Sequence, residues 1–203
     1  MTADDSIITI IDDDASFRRS TARLIRAAGH KVQAFADADE YLRYKHHEAT
    51  SCIVLDVFMP GLSGLELQQE LTNAGLEIPL IFITGYGDIP TSVQAMKAGA
   101  IEFLTKPFRD RDLLGSIELA IQRDHEIRRE KAKLQKLRTR YESLTPRQRQ
   151  VLALVVAGKL NKQIAADLNT VEKTIKFHRA HVMQKMEVTS IAELVRVAAS
   201  LNI

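Results

Sequence analysis

Short apolar runs alternate with longer stretches of mixed polarity along the first ~110 residues. The runs are rich in β-branched side chains, which is typical of strands buried in a parallel sheet. Strands are predicted near residues 7–11, 32–35, 51–56, 80–84 and 101–105. Helices are predicted near residues 15–28, 38–46, 64–74 and 90–98, and glycines or prolines separate the segments. This βα repeat predicts a doubly wound, five-stranded parallel sheet with helices on both faces.

Polar residues follow four of the five apolar runs. Asp12 and Asp13 follow the first run, Asp56 ends the third, Thr84 ends the fourth and Lys106 follows the fifth. The carboxyl ends of such strands form the ligand crevice of an open α/β sheet, so one crevice should hold all five residues. Clustered carboxylates repel one another unless a cation intervenes, and an oxygen-rich cup suits Mg²⁺. A lysine and a hydroxyl supply the cation and the donor that a phosphoryl group needs.

The chain changes character after the last predicted strand. Residues 110–142 contain no proline and one glycine, which predicts a single helix about 50 Å long. Apolar residues near its start should pack on the sheet, namely Leu113, Leu114, Ile117 and Ile121. Residues at seven-residue spacing follow, namely Ala120, Ile127, Leu134 and Tyr141. The companion heptad positions are polar at first and apolar later, so a solvated connecting helix and a dimer-forming coil both fit.

The last sixty residues predict a small all-α domain. Four helices are expected near residues 146–157, 161–168, 171–186 and 190–201. Thr145 can cap the first of them, with Pro146 at the first helical position. A link of only Asn169 and Thr170 joins the second and third helices, which is the helix-turn-helix pattern.

Charge divides unevenly between the two halves. Residues 1–120 hold 11 Lys+Arg and 18 Asp+Glu, a net of −7, and residues 121–203 hold 17 and 8, a net of +9. An acidic half joined to a basic half suggests two domains with different partners, the basic one facing a polyanion.

The single cysteine, Cys52, lies in a predicted strand and is expected to be a small buried hydrophobe. No apolar run approaches the ~20 residues that span a bilayer, and no signal-peptide pattern begins the chain, so a cytoplasmic protein without membrane association is expected.

Four sequence pieces at the strand ends carry a recognisable pattern. They are Ile11-Asp12-Asp13-Asp14, the segment from Leu55 to Gly64, Ile83-Thr84-Gly85 and Lys106-Pro107-Phe108. In this order they resemble the CheY-like, flavodoxin-like receiver domain of two-component response regulators, over about residues 5–123. The stretch Ala95-Met96-Lys97-Ala98-Gly99-Ala100 is similar to the FixJ-type subgroup.

The receiver resemblance implies a role for each site residue. Asp56 is the expected phosphoacceptor, and Lys106 would hold a phosphoryl oxygen. Mg²⁺ or Mn²⁺ would be bound by Asp12, Asp13, Asp56 and the main-chain carbonyl of Phe58. Asp14 is expected only to cap the following helix. Thr84 would donate to the new phosphate and, with the aromatic Phe103, would form the switch; the Lys106–Pro107 bond is expected to be cis.

The second half also resembles a known family. The segments 144–152, 161–165, 173–178 and 183–186 are similar to LuxR-type DNA-binding domains. Asn169, Thr170 and Val171 stand where Gly-Ile-Ser is commoner, and Glu187 stands where glycine is usual. Asn169 or Thr170 is expected to cap the recognition helix.

Helical geometry separates the two faces of the recognition helix. Three apolar residues point the same way and should form core, namely Ile175, Val182 and Met186. The outward face should enter a major groove. Lys176 and Phe177 match base-contacting positions of the LuxR type. The expected DNA-binding residues are Lys162, Lys173, Thr174, Lys176, Phe177, Ala180 and Lys185, with Lys162, Lys173 and Lys185 meeting phosphates.

The sequence therefore predicts a receiver at residues 1–123, a helical linker at 124–142 and a LuxR-type domain at 143–203. The predicted function is phosphorylation by a sensor histidine kinase that controls binding to double-stranded DNA, with a homodimer forming on activation. No enzymatic activity is expected beyond the receiver's own phosphotransfer and dephosphorylation. One alternative is a magnesium-dependent phosphatase, which would need a second Asp where Phe58 stands. Another is a regulator that binds DNA without phosphorylation, against which the intact acidic site argues.

Overall fold

The computed structural model describes residues 6–44, 49–85 and 89–203. Five strands and nine helices are seen in these residues. In the first half they are β1 Ile7–Ile11, α1 Ala15–Ala27, β2 Lys31–Phe35, α2 Ala38–Arg43, β3 Thr50–Asp56, α3 Gly64–Asn73, β4 Leu80–Thr84, α4 Ile89–Lys97 and β5 Glu102–Thr105. In the second half they are α5 Asp110–Glu142, α6 Pro146–Val156, α7 Asn161–Asp167, α8 Glu172–Met186 and α9 Ile191–Ser200. The predicted elements are confirmed to within three residues at their ends; the predicted end of α2, at 46, lies outside the described residues.

The strands form one parallel sheet in the order β2-β1-β3-β4-β5. This is the flavodoxin-like order, so the predicted fold class is confirmed, and its crevice lies where the order reverses, between the ends of β1 and β3. Register aligns the strand ends: Ile11 pairs with Leu55, Asp56 with Ile83, and Thr84 with Thr105. The residues that end or follow these strands therefore meet at one edge.

Each face of the sheet covers its own apolar core. Alternate residues of the central strands point to opposite sides, so that Leu55 and Phe82 belong to one core and Val54 and Ile83 to the other. Cys52 is fully buried in the second core, as predicted, and burial raises the pKa of its thiol well above the usual range.

Helix α5 is a single helix of 33 residues, as its composition predicted. Leu113, Ile117 and Ala120 are fully buried against the sheet. Beyond Asp124 the helix is mostly exposed.

Internal contacts divide the chain into two compact units, which separate after Ile127. No described helix is both long and apolar enough to cross a membrane.

The second unit packs helices α6 to α9 around one apolar core, which includes the predicted Ile175, Val182 and Met186. Thr145 caps α6 as expected: its side chain accepts from the N–H of Gln148, and Gln148 accepts from the N–H of Thr145. This exchange satisfies two donors that would otherwise lack partners at the helix start.

The start of α8 differs from the prediction. The N-cap residue is Val171, which makes no side-chain cap hydrogen bond, and not Asn169 or Thr170. Asn169 instead adopts φ 48° and ends α7, where its N–H and that of Thr170 bond back to Ala166 and Ala165. A left-handed residue is needed there, and asparagine is among the residues that tolerate it.

Candidate functional site

Three carboxylates lie together at the carboxyl edge of the sheet. Oxygens of Asp12, Asp13 and Asp56 are all within 4.8 Å of one another. Asp12 and Asp56 are buried, whereas Asp13 is exposed, so the cluster opens to solvent on one side. The sequence predicted this convergence from the ends of β1 and β3.

Lys106 bridges two of these acids. Its Nζ donates to Oδ2 of Asp12 and to Oδ2 of Asp56, each at 2.7 Å. The ammonium also lies 3.9 Å from the centre of the Phe17 ring, a cation–π contact that supports it from α1. The main-chain N–H of Lys106 donates to the carbonyl of Thr84 at 2.7 Å, and the Lys106–Pro107 bond is cis. The lysine is thus anchored to β4 while its ammonium reaches the acids.

The electrostatics of the site reflect this pairing. Burial raises the pKa of Asp12, with a further contribution from the charge on Asp56, against the lowering effects of Lys106 and the N–H of Asp14. Burial alone would lower the pKa of Lys106, but hydrogen bonds and charges from both acids together raise it above its ordinary value. The lysine therefore stays cationic at neutral pH.

Hydrogen bonds hold both oxygens of the Asp56 carboxylate. Oδ2 accepts from Lys106, and Oδ1 accepts from the main-chain N–H of Phe58 at 3.0 Å. The first residue of α3, Gly64, packs directly on this segment, with its N–H donating to the carbonyl of Val57 at 3.0 Å. Phe58 is 52% exposed, and its phenyl side chain supplies no acidic group to the site.

The two predicted switch residues lie on the same face of the sheet. Thr84 is fully buried at the end of β4. Phe103 pairs in register with Phe82, two residues before Thr84, and their ring centres are 6.3 Å apart. Phe103 is half-buried, and it packs against the core beneath the site.

The donor set of the acidic cluster fits a hard divalent cation. Carboxylate oxygens are the ligands that Mg²⁺ prefers, and the exposed side of the cluster leaves room for the waters that Mg²⁺ retains. When ionised, the three acids carry three negative charges against the one positive charge of Lys106. A divalent ion would balance the remainder, so these residues fit the metal that the resemblance implies.

Two contributors to this site carried no strong signal in the sequence. Asp12 receives a hydrogen bond on its main-chain carbonyl from Arg18, and Phe17 supports the Lys106 ammonium. Phe17 and Arg18 both lie on α1, about one turn after Asp14, whose side chain caps the helix as predicted by accepting from the N–H groups of Ser16 and Phe17. Only the fold brings the side chains of α1 over the site.

A second candidate site is the outer face of α8. Lys173, Lys176, Phe177 and Ala180 are exposed there, and Phe177 is 61% exposed despite its size. The centre of the Phe177 ring lies 4.2 Å from the centre of the His181 ring, and Nδ1 of His181 is 2.9 Å from the carbonyl oxygen of Phe177. Lys176 pairs with Glu172 one turn earlier at 3.1 Å.

The other expected DNA contacts occupy different surroundings. Lys162, on α7, is exposed, whereas Thr174 is half-buried. Lys185 is engaged inside the unit: its Nζ donates to the carbonyl of Ser143 at 2.8 Å and to Gln148 at 3.1 Å. The sequence did not indicate this contact, because its acceptors lie about 40 residues away in the chain.

Comparison with known proteins finds one matching family for each half of the chain. Residues 8–118 match the response regulator receiver domain, and residues 142–198 match the bacterial regulatory proteins of the LuxR family. Nodulation protein W of Bradyrhizobium diazoefficiens is 46% identical over 198 residues, covering 98% of this chain and 87% of that protein. Transcriptional regulatory protein FixJ of the same species is 42% identical over 191 residues, covering 94% and 93%. The solved structure of the response regulator StyR superimposes with a TM-score of 0.82 at 45% identity, covering 96% of this chain and 98% of that one.

The fold and the acidic site define a receiver domain, joined to a helical domain of the LuxR type. The chain belongs to the two-component response regulators, in the group that includes FixJ. It is a phosphorylation-dependent regulator of transcription.

Proposed function

We propose that Asp56 accepts a phosphoryl group from the phosphohistidine of a sensor kinase. The observation that carries this proposal is the double hydrogen bond from Lys106 to Asp12 and Asp56, which puts a cation beside the nucleophile. An Asp56 oxygen attacks phosphorus, the bond between phosphorus and the histidine nitrogen breaks, and an acyl phosphate forms. Lys106 then leaves the carboxylate and binds an oxygen of the transferred group.

The same carboxylates are proposed to hold Mg²⁺ or Mn²⁺. Asp12, Asp13 and Asp56 would bind it, together with the main-chain carbonyl of Phe58. When bound, the metal neutralises negative charge on the transferring phosphoryl oxygens. Because the apolar Phe58 side chain offers no general acid, we propose that the site catalyses only its own phosphorylation and dephosphorylation.

A groove between α1 and the start of α5 suits the kinase. It has a volume of ≈ 740 Å³, and its lining includes Phe17, Leu24, Pro107, Phe108 and Lys106. Lys106 belongs both to the groove and to the acidic site. A helix of the kinase that docks in the groove would therefore present its phosphohistidine to Asp56. We propose that this reaction takes place in the cytoplasm, where both the kinase domain and the DNA would be met.

Phosphorylation is proposed to act through Thr84 and Phe103. A hydroxyl drawn towards the new phosphate leaves space at the end of β4, and the half-buried Phe103 ring on the same face can fill it. The neighbouring helix α4 exposes an apolar stripe at i, i+4 and i+7, namely Ile89 (80%), Val93 (43%) and Met96 (44%). We propose that this apolar stripe is a protein-binding face at which two activated copies meet.

The second unit is proposed to read DNA through α8. Lys176 and Phe177 are exposed where a major groove would lie, and a lysine can pair with guanine while a phenyl ring packs on a thymine methyl. Thr174 and Ala180 flank them, and Lys162 and Lys173 are proposed to meet phosphates. Lys185 is proposed to do the same with the one ammonium donor that remains beside its bonds to Ser143 and Gln148. A dimer would then cover two half-sites. The proposed functional segments are the receiver at 1–123, the linker at 124–142 and the DNA-binding domain at 143–203.

One titration tests this proposal as a whole. Beryllofluoride, which mimics the acyl phosphate, is added with Mg²⁺ while the oligomeric state and DNA affinity of the full chain are followed. The wild-type chain should dimerise and bind DNA more tightly, whereas Asp56→Asn should do neither. An equal response in both proteins would refute the proposed control through Asp56.

A further inference from the structure

The exposed part of α5 is unusually basic. Residues 128–140 contain seven Lys or Arg and one acidic residue, Glu130. Four of the cations recur at i, i+4, i+7 and i+11, which places them within about 60° of one another around the helix. These four residues, named the basic stripe here, are Arg129, Lys133, Lys136 and Arg140. The stripe is about 16 Å long.

The basic stripe ends beside the recognition helix, within the same compact unit. Arg140 pairs with Glu187, the residue that follows α8. Lys185, in the last turn of α8, donates to the carbonyl of Ser143 just after the end of α5. A recognition helix in a major groove has phosphates near its ends. One end of the basic stripe therefore lies near the point where the DNA backbone would pass.

Most of the charge of the stripe is not neutralised by the protein. Arg129 and Lys136 have neither an ion pair nor a hydrogen bond with any described residue, and Lys133 has only an exposed contact of 3.6 Å with Glu130. Such a contact contributes little. Closely spaced cations on one face repel one another, so the stripe favours a polyanionic partner.

A coiled-coil seam does not explain this face. A parallel pair of α5 helices would join at Leu134, Leu137 and Tyr141, but Tyr141 already packs against the core of its own unit. The flanking positions would also set Lys133 of one copy against Arg138 of the other, which is repulsive.

We propose that the basic stripe binds the sugar–phosphate backbone of duplex DNA beside the bases read by α8. The inference rests on the DNA binding proposed above. The linker is then a part of the DNA interface, and it adds affinity that does not depend on sequence.

The test compares two triple variants of the full chain. The stripe variant is Arg129→Gln/Lys133→Gln/Lys136→Gln. The control, Arg128→Gln/Lys131→Gln/Arg138→Gln, removes the same charge from the same helix on roughly its opposite side. All six side chains are exposed, so both variants should melt as the wild-type chain does. Arg140 is kept because of its pairing with Glu187.

Binding to a fluorescent duplex of random sequence is measured with Mg²⁺ and beryllofluoride present, at several salt concentrations. Three lost phosphate contacts should reduce the slope of log affinity against log salt by about 2–3, and affinity should fall on the order of 100-fold at ~0.1 M salt. Lys136→Gln alone should reduce the slope by about 1. The control variant should lose much less.

Each other outcome overturns the inference. Equal losses in the stripe and control variants would mean that only total charge matters, with DNA binding by α8 left standing. A gain in affinity of the stripe variant would indicate that the stripe binds the acidic receiver instead. If the wild-type chain shows no salt-dependent binding, the proposed function fails together with this inference.

Discussion

Replacing Gly64 with alanine tests whether the close contact between α3 and the end of β3 holds the phosphoacceptor in place. A Cβ atom at Gly64 would lie 2.3 Å from the main-chain oxygen of Asp56, and 3.1 Å from both Val57 Cα and a carbon of the Phe82 ring. Two of these neighbours are backbone and the third is a fully buried ring. None of them can move without disturbing the core or the site.

The size of the effect follows from this geometry. Overpacking typically costs 1–3 kcal/mol, and because the backbone itself must shift here we expect about 3 kcal/mol. Gly115→Ala is a matched control: it lies within α5, and an added Cβ there meets nothing within 4 Å. Alanine should stabilise that helix by about 1 kcal/mol.

Urea unfolding of the full chain measures both variants. The receiver transition is identified as the one that shifts when Mg²⁺ and beryllofluoride bind. Gly64→Ala should also slow labelling by acetyl phosphate, because moving Asp56 relative to Lys106 separates the nucleophile from its cation. Wild-type stability together with wild-type labelling in Gly64→Ala would refute the proposed role of this contact.

Three further results are expected. Excess chelator should abolish labelling by acetyl phosphate and restored Mg²⁺ should recover it, so full-rate labelling in chelator would refute the requirement for a metal in the transfer. Lys173→Ala should weaken binding to all DNA sequences about equally, whereas Lys176→Ala should cost about 1–3 kcal/mol of binding free energy and relax the preference at one base pair. Footprinting at matched salt measures both effects, and unchanged binding of both variants would refute α8 as the recognition helix. Thr145→Ala should destabilise the second unit by about 1 kcal/mol while Thr145→Ser should not, and equal melting of the two would contradict the capping role.

The placement of the receiver site could be predicted because strand ends are readable from the sequence. Apolar runs locate the strands, and the parallel topology then brings Asp12, Asp56 and Thr84 to one edge. The bridge from Lys106 to two acids was not predictable in detail. It depends on the distance between strand ends and on Phe17 of a helix that crosses the site.

Local conformation at the helix-turn-helix was harder to predict. Asn169 and Glu187 both adopt positive φ, at 48° and 53°. At Glu187 the resemblance had already marked a position where glycine is usual. Asparagine suits both a helix N-cap and a left-handed turn. At Asn169 the sequence favoured the N-cap, whereas the residue forms the left-handed turn. The internal role of Lys185 was equally hidden, since only packing brings Ser143 and Gln148 to it.

The most direct test of the account is to find where the phosphoryl group goes. The wild-type chain, Asp56→Asn and Asp14→Ala are incubated with acetyl phosphate and Mg²⁺, and the intact masses are compared. The wild-type chain should gain one phosphoryl group, Asp14→Ala should keep most of the labelling because Asp14 only caps α1, and Asp56→Asn should gain none. Undiminished labelling of Asp56→Asn would contradict the assignment of Asp56 as the residue through which this regulator is controlled.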